Sequence, residues 1–215
     1  MYYGGVYYGE YFPVSPVAVS VPSEAGGVAA VIYDVDGTTQ LGVMPFFAAL
    51  KTAELLDRIG SFEGRIPASH GAASLLQHKR QLLFHRPGEG AFYKGVIEEI
   101  DWDDDAQATP GFITVRGPQH AVELVRPKAR LGTEYNDVSS LTVITTEAAR
   151  AGWTIGVSDG HANILARYDG SSAWNNILDV ATKRDKHVRI FNTTRQLAFG
   201  AGGADSGIVL VNLQA

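Results

Sequence analysis

Beyond Val28 the apolar residues fall largely into short, β-branched runs, and this limits the architecture more than any other property of the chain. Phe92 to Trp102, Phe112 to Arg116, His120 to Arg126, Leu141 to Thr145 and Trp153 to Val157 read as strands. So do Asn163 to Tyr168, Val188 to Phe191, Gln196 to Phe199 and Ile208 to Leu213. Several are separated by only two to five turn residues. Links that short join antiparallel neighbours, because a parallel crossover needs about a dozen residues or more. Helical spacing is confined to three places. Phe46, Ala49, Leu50, Ala53, Leu56 and Ile59 fall on one stripe, between Pro45 and the stop signal Gly60. Ala72 to Phe84 reads as a second helix, with Leu82-Leu83-Phe84 alternatively ending a strand. Ala173 to Lys183 reads as a third, with Ser172 as its N-cap. The fold class expected is α+β, mainly β: antiparallel sheets in a sandwich or barrel of short strands, with two or three helices and an extended N-terminal arm. No internal repeat of fixed period is present.

The arm is residues 1–27. Tyr2, Tyr3, Tyr7, Tyr8, Tyr11 and Phe12 are interleaved with Gly4, Gly5 and Gly9 and followed by Pro13, Pro16 and Pro22. Glycine and proline oppose a helix, while aromatic rings are costly to leave in water. Such a segment reads either as a mobile tail or, the preferred reading, as an extended arm that docks on another surface, such as that of a neighbouring copy. Residues 28–215 then form the β-rich domain, with a candidate division at 86–90.

With 45% hydrophobic residues in 215, the chain can bury a real core. Its formal net charge of -5 argues against direct nucleic-acid binding, which needs a basic face. There is no cysteine, so thiolate chemistry and disulfides are excluded. The first residues lack the basic and apolar regions of a secretory signal, and nowhere do about 18 apolar residues run together to span a membrane.

One motif suggests chemistry. The segment Asp34-Val35-Asp36-Gly37-Thr38 follows an apolar run and resembles the first motif of haloacid-dehalogenase-like hydrolases. That resemblance implies a Mg²⁺-dependent phosphatase with Asp34 as nucleophile and Asp36 as acid and base. The later motifs of that family are poorly matched: the strand Val188 to Phe191 ends in Asn192-Thr193-Thr194 where an acidic pair is required. The same letters predict a type I′ turn at Asp36-Gly37 between Val31–Val35 and Thr38–Val43, and the layout recurs at Asp159-Gly160. The turn is the preferred reading.

Weaker candidates are scattered. Gly156-Val157-Ser158-Asp159-Gly160 matches a nucleophile elbow, with Asp179 and His187 following in the order of a serine hydrolase, but with too little chain between them. Asp101, Asp103, Asp104 and Asp105 form an acidic loop that offers oxygen ligands to Ca²⁺, though a solvated hairpin tip explains it better. Histidines 70, 78, 85, 120, 161 and 187 lack a metal-binding spacing. Trp102, Trp153 and Trp174 are candidate stacking platforms for a β-rich glycan-binding module.

The start YYGGVYYGEYF resembles the short N-termini of bacteriophage virion proteins, and the end VRIFNTTRQLAFGAGGADSGIVLVN resembles the closing strands of tail, fibre or head-decoration proteins. The resemblance implies a non-enzymatic structural subunit of a phage-like particle: a tail, baseplate, fibre or decoration component. It implies homo-oligomeric assembly with other virion structural proteins, no cofactor, and a place in the virion after assembly in the host cytoplasm.

Overall fold

The computed structural model describes residues 27–45, 47–86, 88–103, 111–126, 132–158, 160–200 and 211–214, the last four and Asp103 by backbone alone. Eight strands come first: β1 (Ala29–Tyr33), β2 (Gln40–Met44), β3 (Ala49–Leu55), β4 (Arg58–Pro67), β5 (Gln81–Arg86), β6 (Gly90–Val96), β7 (Glu99–Asp103) and β8 (Phe112–Pro118). A short 3-10 helix, Gly71–Leu75, lies between β4 and β5. Then follow α1 (Val122–Val125), β9 (Thr133–Ser139), α2 (Ser140–Arg150), β10 (Thr154–Ser158), β11 (Asn163–Tyr168), α3 (Ala173–Lys183), β12 (His187–Phe191), β13 (Gln196–Gly200) and β14 (Val211–Gln214). The fold is α+β and mainly β, as expected.

Two hydrophobic cores organise these elements. The first lies between a four-stranded sheet, β2-β1-β5-β6, and a five-stranded sheet, β14-β3-β4-β8-β7, both antiparallel. Phe84 is at its centre, with ring centroids 5.3 Å from Phe47, 5.3 Å from Phe62 and 6.0 Å from Tyr93. Two glycines make room for these rings: a Cβ on Gly64 would sit 2.8 Å from the Phe47 ring, and one on Gly95 would collide with Phe62. The turn at residues 86–90 is the tip of the β5–β6 hairpin within this core, where Arg86 pairs with Gly90.

The second core runs from Ala121 to Phe199. It gathers the inward residues of α2 and α3, the buried Trp153, and the sheets β10-β13-β12 and β11-β9. α3 starts at Ser172, whose side chain accepts the Asn175 amide at 3.2 Å, and it buries Trp174, Ile177, Val180 and Ala181 as its spacing requires. β10 and β13 pair in parallel, with β11, α3 and β12 as the crossover.

Several expectations are corrected. The 46–59 stripe is not helical: β3 and β4 form a hairpin there, and Thr52 and Leu50 alternate inward while Lys51 points out. Of the 72–84 helix only the 3-10 turn remains, and Leu82 to Phe84 belongs to β5. Leu141 to Thr145 lies in α2, whose buried Ser140, Val143, Ile144, Glu147 and Ala148 follow helical spacing. In His120 to Arg126 the regular element is α1, not a strand. The Asp159-Gly160 position does not join a hairpin, because β10 and β11 belong to different sheets.

Candidate assembly surfaces

The outer face of the five-stranded sheet carries a row of charges in cross-strand register. Lys51 on β3 is opposite Glu63 on β4, Glu63 is opposite Arg116 on β8, and Arg116 is opposite Glu99 on β7. Lys51 Nζ is 3.4 Å from Glu63, Arg116 Nε is 2.7 Å from the same carboxylate, Arg116 Nη1 is 3.6 Å from Glu99, and Arg116 also pairs with Asp101. The Arg116 hydrogen bond holds Glu63 below the usual carboxylate range and raises the Arg116 guanidinium in turn. One row along, the Arg65 guanidinium stacks 4.2 Å above the Phe112 ring. Alternating charges satisfy one another laterally, which keeps a wide face soluble while each exposed pair adds little stability. An open groove of about 960 Å³ runs over this face, with Val122 and Val125 of α1 on its wall.

The two cores meet at a polar junction that sequence reasoning did not single out. His120, fully buried, follows β8; its amide donates to the Lys94 carbonyl at 2.9 Å, and Asn192 Nδ2 donates to the same oxygen. His120 Nε2 is 3.2 Å from Glu123 and 3.3 Å from Arg195, and its ring packs 6.0 Å from Trp153. Burial pushes the His120 imidazole below its ordinary value, against the opposing pull of Glu123. Lys94 Nζ donates to the Gly37 carbonyl at 3.3 Å and lies 5.4 Å from the centre of the Tyr33 ring, and burial lowers it as well. The group ties β6, the β1–β2 loop and the second core together.

The Asp34–Thr39 loop is held by its own hydrogen bonds. β1 has antiparallel neighbours on both sides, whereas the phosphatase resemblance requires a parallel sheet. Asp36 Oδ1 accepts the amides of Thr38 and Thr39, both at 2.9 Å, and Oδ2 accepts the Thr39 hydroxyl at 2.7 Å. These donors hold the Asp36 carboxyl far below its ordinary value, which is unlike an acid that must exchange a proton. Asp34 faces Arg80 at 3.6 Å. The turn is not type I′: residues 34–39 link the strands, and of the Asp36-Gly37 pair only Gly37 has a positive φ, of 71°.

The other candidates do not converge. Asp179 accepts from Tyr168 and Lys183, while His187 pairs with Asp57 at 2.6 Å, so neither serves Ser158. Asp101 is engaged by Arg116, and Asp104 and Asp105 lie outside the described residues. Among the described residues no group of three His, Cys, Asp or Glu is placed to hold a metal ion. Trp153 and Trp174 are buried and cannot stack on a glycan; Trp102, 57% exposed on the edge strand β7, is the one platform left of the three. The arm residues Tyr2, Tyr3, Tyr7, Tyr8, Tyr11 and Phe12 lie outside the described residues. No described helix is long and apolar enough to cross a membrane. Among the exposed apolar side chains on elements of the second core, Val157 on β10, at 67%, and Leu165 on β11, at 73%, stand out furthest.

Neither protein-family profiles nor curated protein sequences match the chain. Solved structures do. A tail protein from Neisseria meningitidis MC58 superposes with a TM-score of 0.60 at 15% identity, over 85% of this chain and 53% of the other. The prophage tail protein gp18 from Listeria monocytogenes EGD-e gives 0.60 at 10% identity, over 81% and 50%. The 43 kDa tail protein of prophage MuSo2 from Shewanella oneidensis gives 0.59 at 10% identity, over 81% and 54%. The chain therefore spans about half the length of the tail proteins it matches. Its fold, two adjoining cores of short strands with α2 and α3 packed into the second, is one found in prophage tail proteins.

Proposed function

We propose that the chain is a structural component of a phage-like tail, a non-enzymatic subunit that acts by assembling with copies of itself and with other virion proteins. One observation carries this reading: the likeness to three tail proteins extends over at least 81% of the chain and so takes in both cores. The arm, residues 1–27, supplies the contact between copies, and the virion is where the assembled protein resides. The test is sedimentation of the purified chain at rising concentration, together with negative-stain electron microscopy. Rings, tubes or discrete oligomers are expected, and a strict monomer that also fails to join any tail particle would overturn the reading.

A further inference from the structure

β10, Thr154-Ile155-Gly156-Val157-Ser158, is an edge strand without charge or proline, and a bulge at Gly156 is the one irregularity in its pairing with β13. It pairs on one side with β13, and among the described residues no strand pairs with its other side. Edge strands in soluble proteins are guarded by charge, proline or a covering element. Here β7 carries Glu99 and Asp101, β9 carries Glu134 and Asp137, β11 carries Arg167, and β12 carries Arg189. The 3-10 helix covers β2, with Leu75 close enough to forbid a Cβ on Gly42. β10 has no charged residue, exposes Thr154 and Gly156, and leaves Val157 67% exposed.

The chain also contains a segment suited to that edge. Val17-Ala18-Val19-Ser20-Val21 alternates β-branched and small residues, carries no charge, and is bounded by Pro16 and Pro22. The alternation gives one apolar face and fits a pleated strand, while the prolines, lacking amide donors, stop pairing beyond the segment. Residues 17–21 match residues 154–158 in length. An extended chain advances at most about 3.5 Å per residue, so the tether from Val21 to Val28 reaches about 24 Å from the start of β1.

We propose that Val17–Val21 of one copy adds as a strand along β10 of a neighbouring copy. Main-chain hydrogen bonds give the contact its strength, and the valine face covers Val157. The aromatic residues Tyr2 to Phe12 would then reach past the added strand onto the neighbour's surface. The proposal rests on the assembly reading above and adds the docking site.

The chain has no cysteine, so single-cysteine variants of the full protein test it directly. Val19→Cys mixed with Val157→Cys under mild oxidation is expected to give a covalent dimer about tenfold or more above Val19→Cys mixed with Leu56→Cys, because docking raises the local thiol concentration. Val157→Lys, which places a charge on the edge, is expected to shift sedimentation toward smaller species with the fold unchanged by circular dichroism. A protein that still assembles but shows neither effect loses this docking site and keeps the assembly reading. Oxidation of the double variant Val19→Cys/Val157→Cys to an intrachain loop alone would also overturn the exchange between copies. A chain that stays monomeric and uncross-linked at all concentrations would overturn both readings.

Discussion

Asp57 and Val188 clasp each other across the two cores. The Asp57 amide donates to the Val188 carbonyl at 3.1 Å, and Asp57 Oδ1 accepts the Val188 amide at 2.6 Å. Oδ2 meets His187 Nδ1 at 2.6 Å, and Asp57 adopts a left-handed φ of 55° to do this.

Removing the carboxylate should therefore be costly for a surface turn. Asp57→Ala is expected to lower stability by about 1–3 kcal/mol, since the Val188 amide is left without its acceptor and a Cβ residue without side-chain compensation must hold a positive φ. Asp57→Asn, which tolerates that backbone and keeps one acceptor, should lose less. Urea unfolding of both variants checks the ranking.

Acid should loosen the junction. Burial depresses the His120 imidazole below its ordinary value of about 6.5, and His85 is shifted the same way. The unfolded chain then binds more protons than the folded one, so stability is full above about pH 6.5 and falls as pH drops through the lower folded values. Thermal melts between pH 7.5 and 5 are expected to show this decline, and His120→Gln should flatten it. Glu123, Arg195 and Lys94 are the charged groups that face this ring, and a slope unchanged by His120→Gln would assign the effect elsewhere.

The β1–β2 loop separates structural from catalytic roles. Gly37→Val is expected to destabilise by at least about 1–2 kcal/mol, because φ is positive there and a Cβ would collide with the Gln81 side chain. Asp36→Ala should lower the melting temperature by removing the acceptor of three hydrogen bonds. With Mg²⁺ and a phosphomonoester, wild type, Asp34→Asn and Asp36→Asn are all expected to be inactive. Turnover in wild type that is lost in Asp36→Asn would contradict this.

The tryptophans should split by location. Trp153→Ala leaves a large cavity in the second core and is expected to cost about 3–5 kcal/mol, while Trp102→Ala at the exposed edge should stay within about 0.5 kcal/mol. Denaturant unfolding measures both.

What the sequence made legible was the local signal. The Ser172 cap and the apolar stripe behind it located α3, and short alternating apolar runs between turn residues located β11, β12 and β13. The hairpin of β3 and β4 was hidden because the inward positions of β4 alternate glycine with large residues: Gly60, Phe62, Gly64, Ile66. Gly64 gives way to Phe47 from outside the strand, and Gly60 to the Ala53 carbonyl, so the period of two that marks a strand was diluted. α2 was misread for the opposite reason. Leu141-Thr142-Val143-Ile144-Thr145 has strand propensity, yet Ile144 and Val143 share a helix face with Ala148 that the second core covers. The charge row from Lys51 to Glu99 and the junction around His120 needed the register and the tertiary approach of residues up to 98 positions apart. The parallel pairing of β10 with β13 likewise has no short-range signature.

The position of β14 sets the order in which the molecule can be completed. It pairs with β3, so the chain leaves the first core after β8, builds the whole second core, and returns to close the five-stranded sheet. During synthesis the first core has to wait, with one edge of β3 open, while about 90 further residues emerge; at about 5–20 residues per second that is several seconds. The second core, whose contacts lie between Ala121 and Phe199, can be finished before its host. A nascent chain would thus expose β3 as a transient template for other strands, and the closing strand is what retires it.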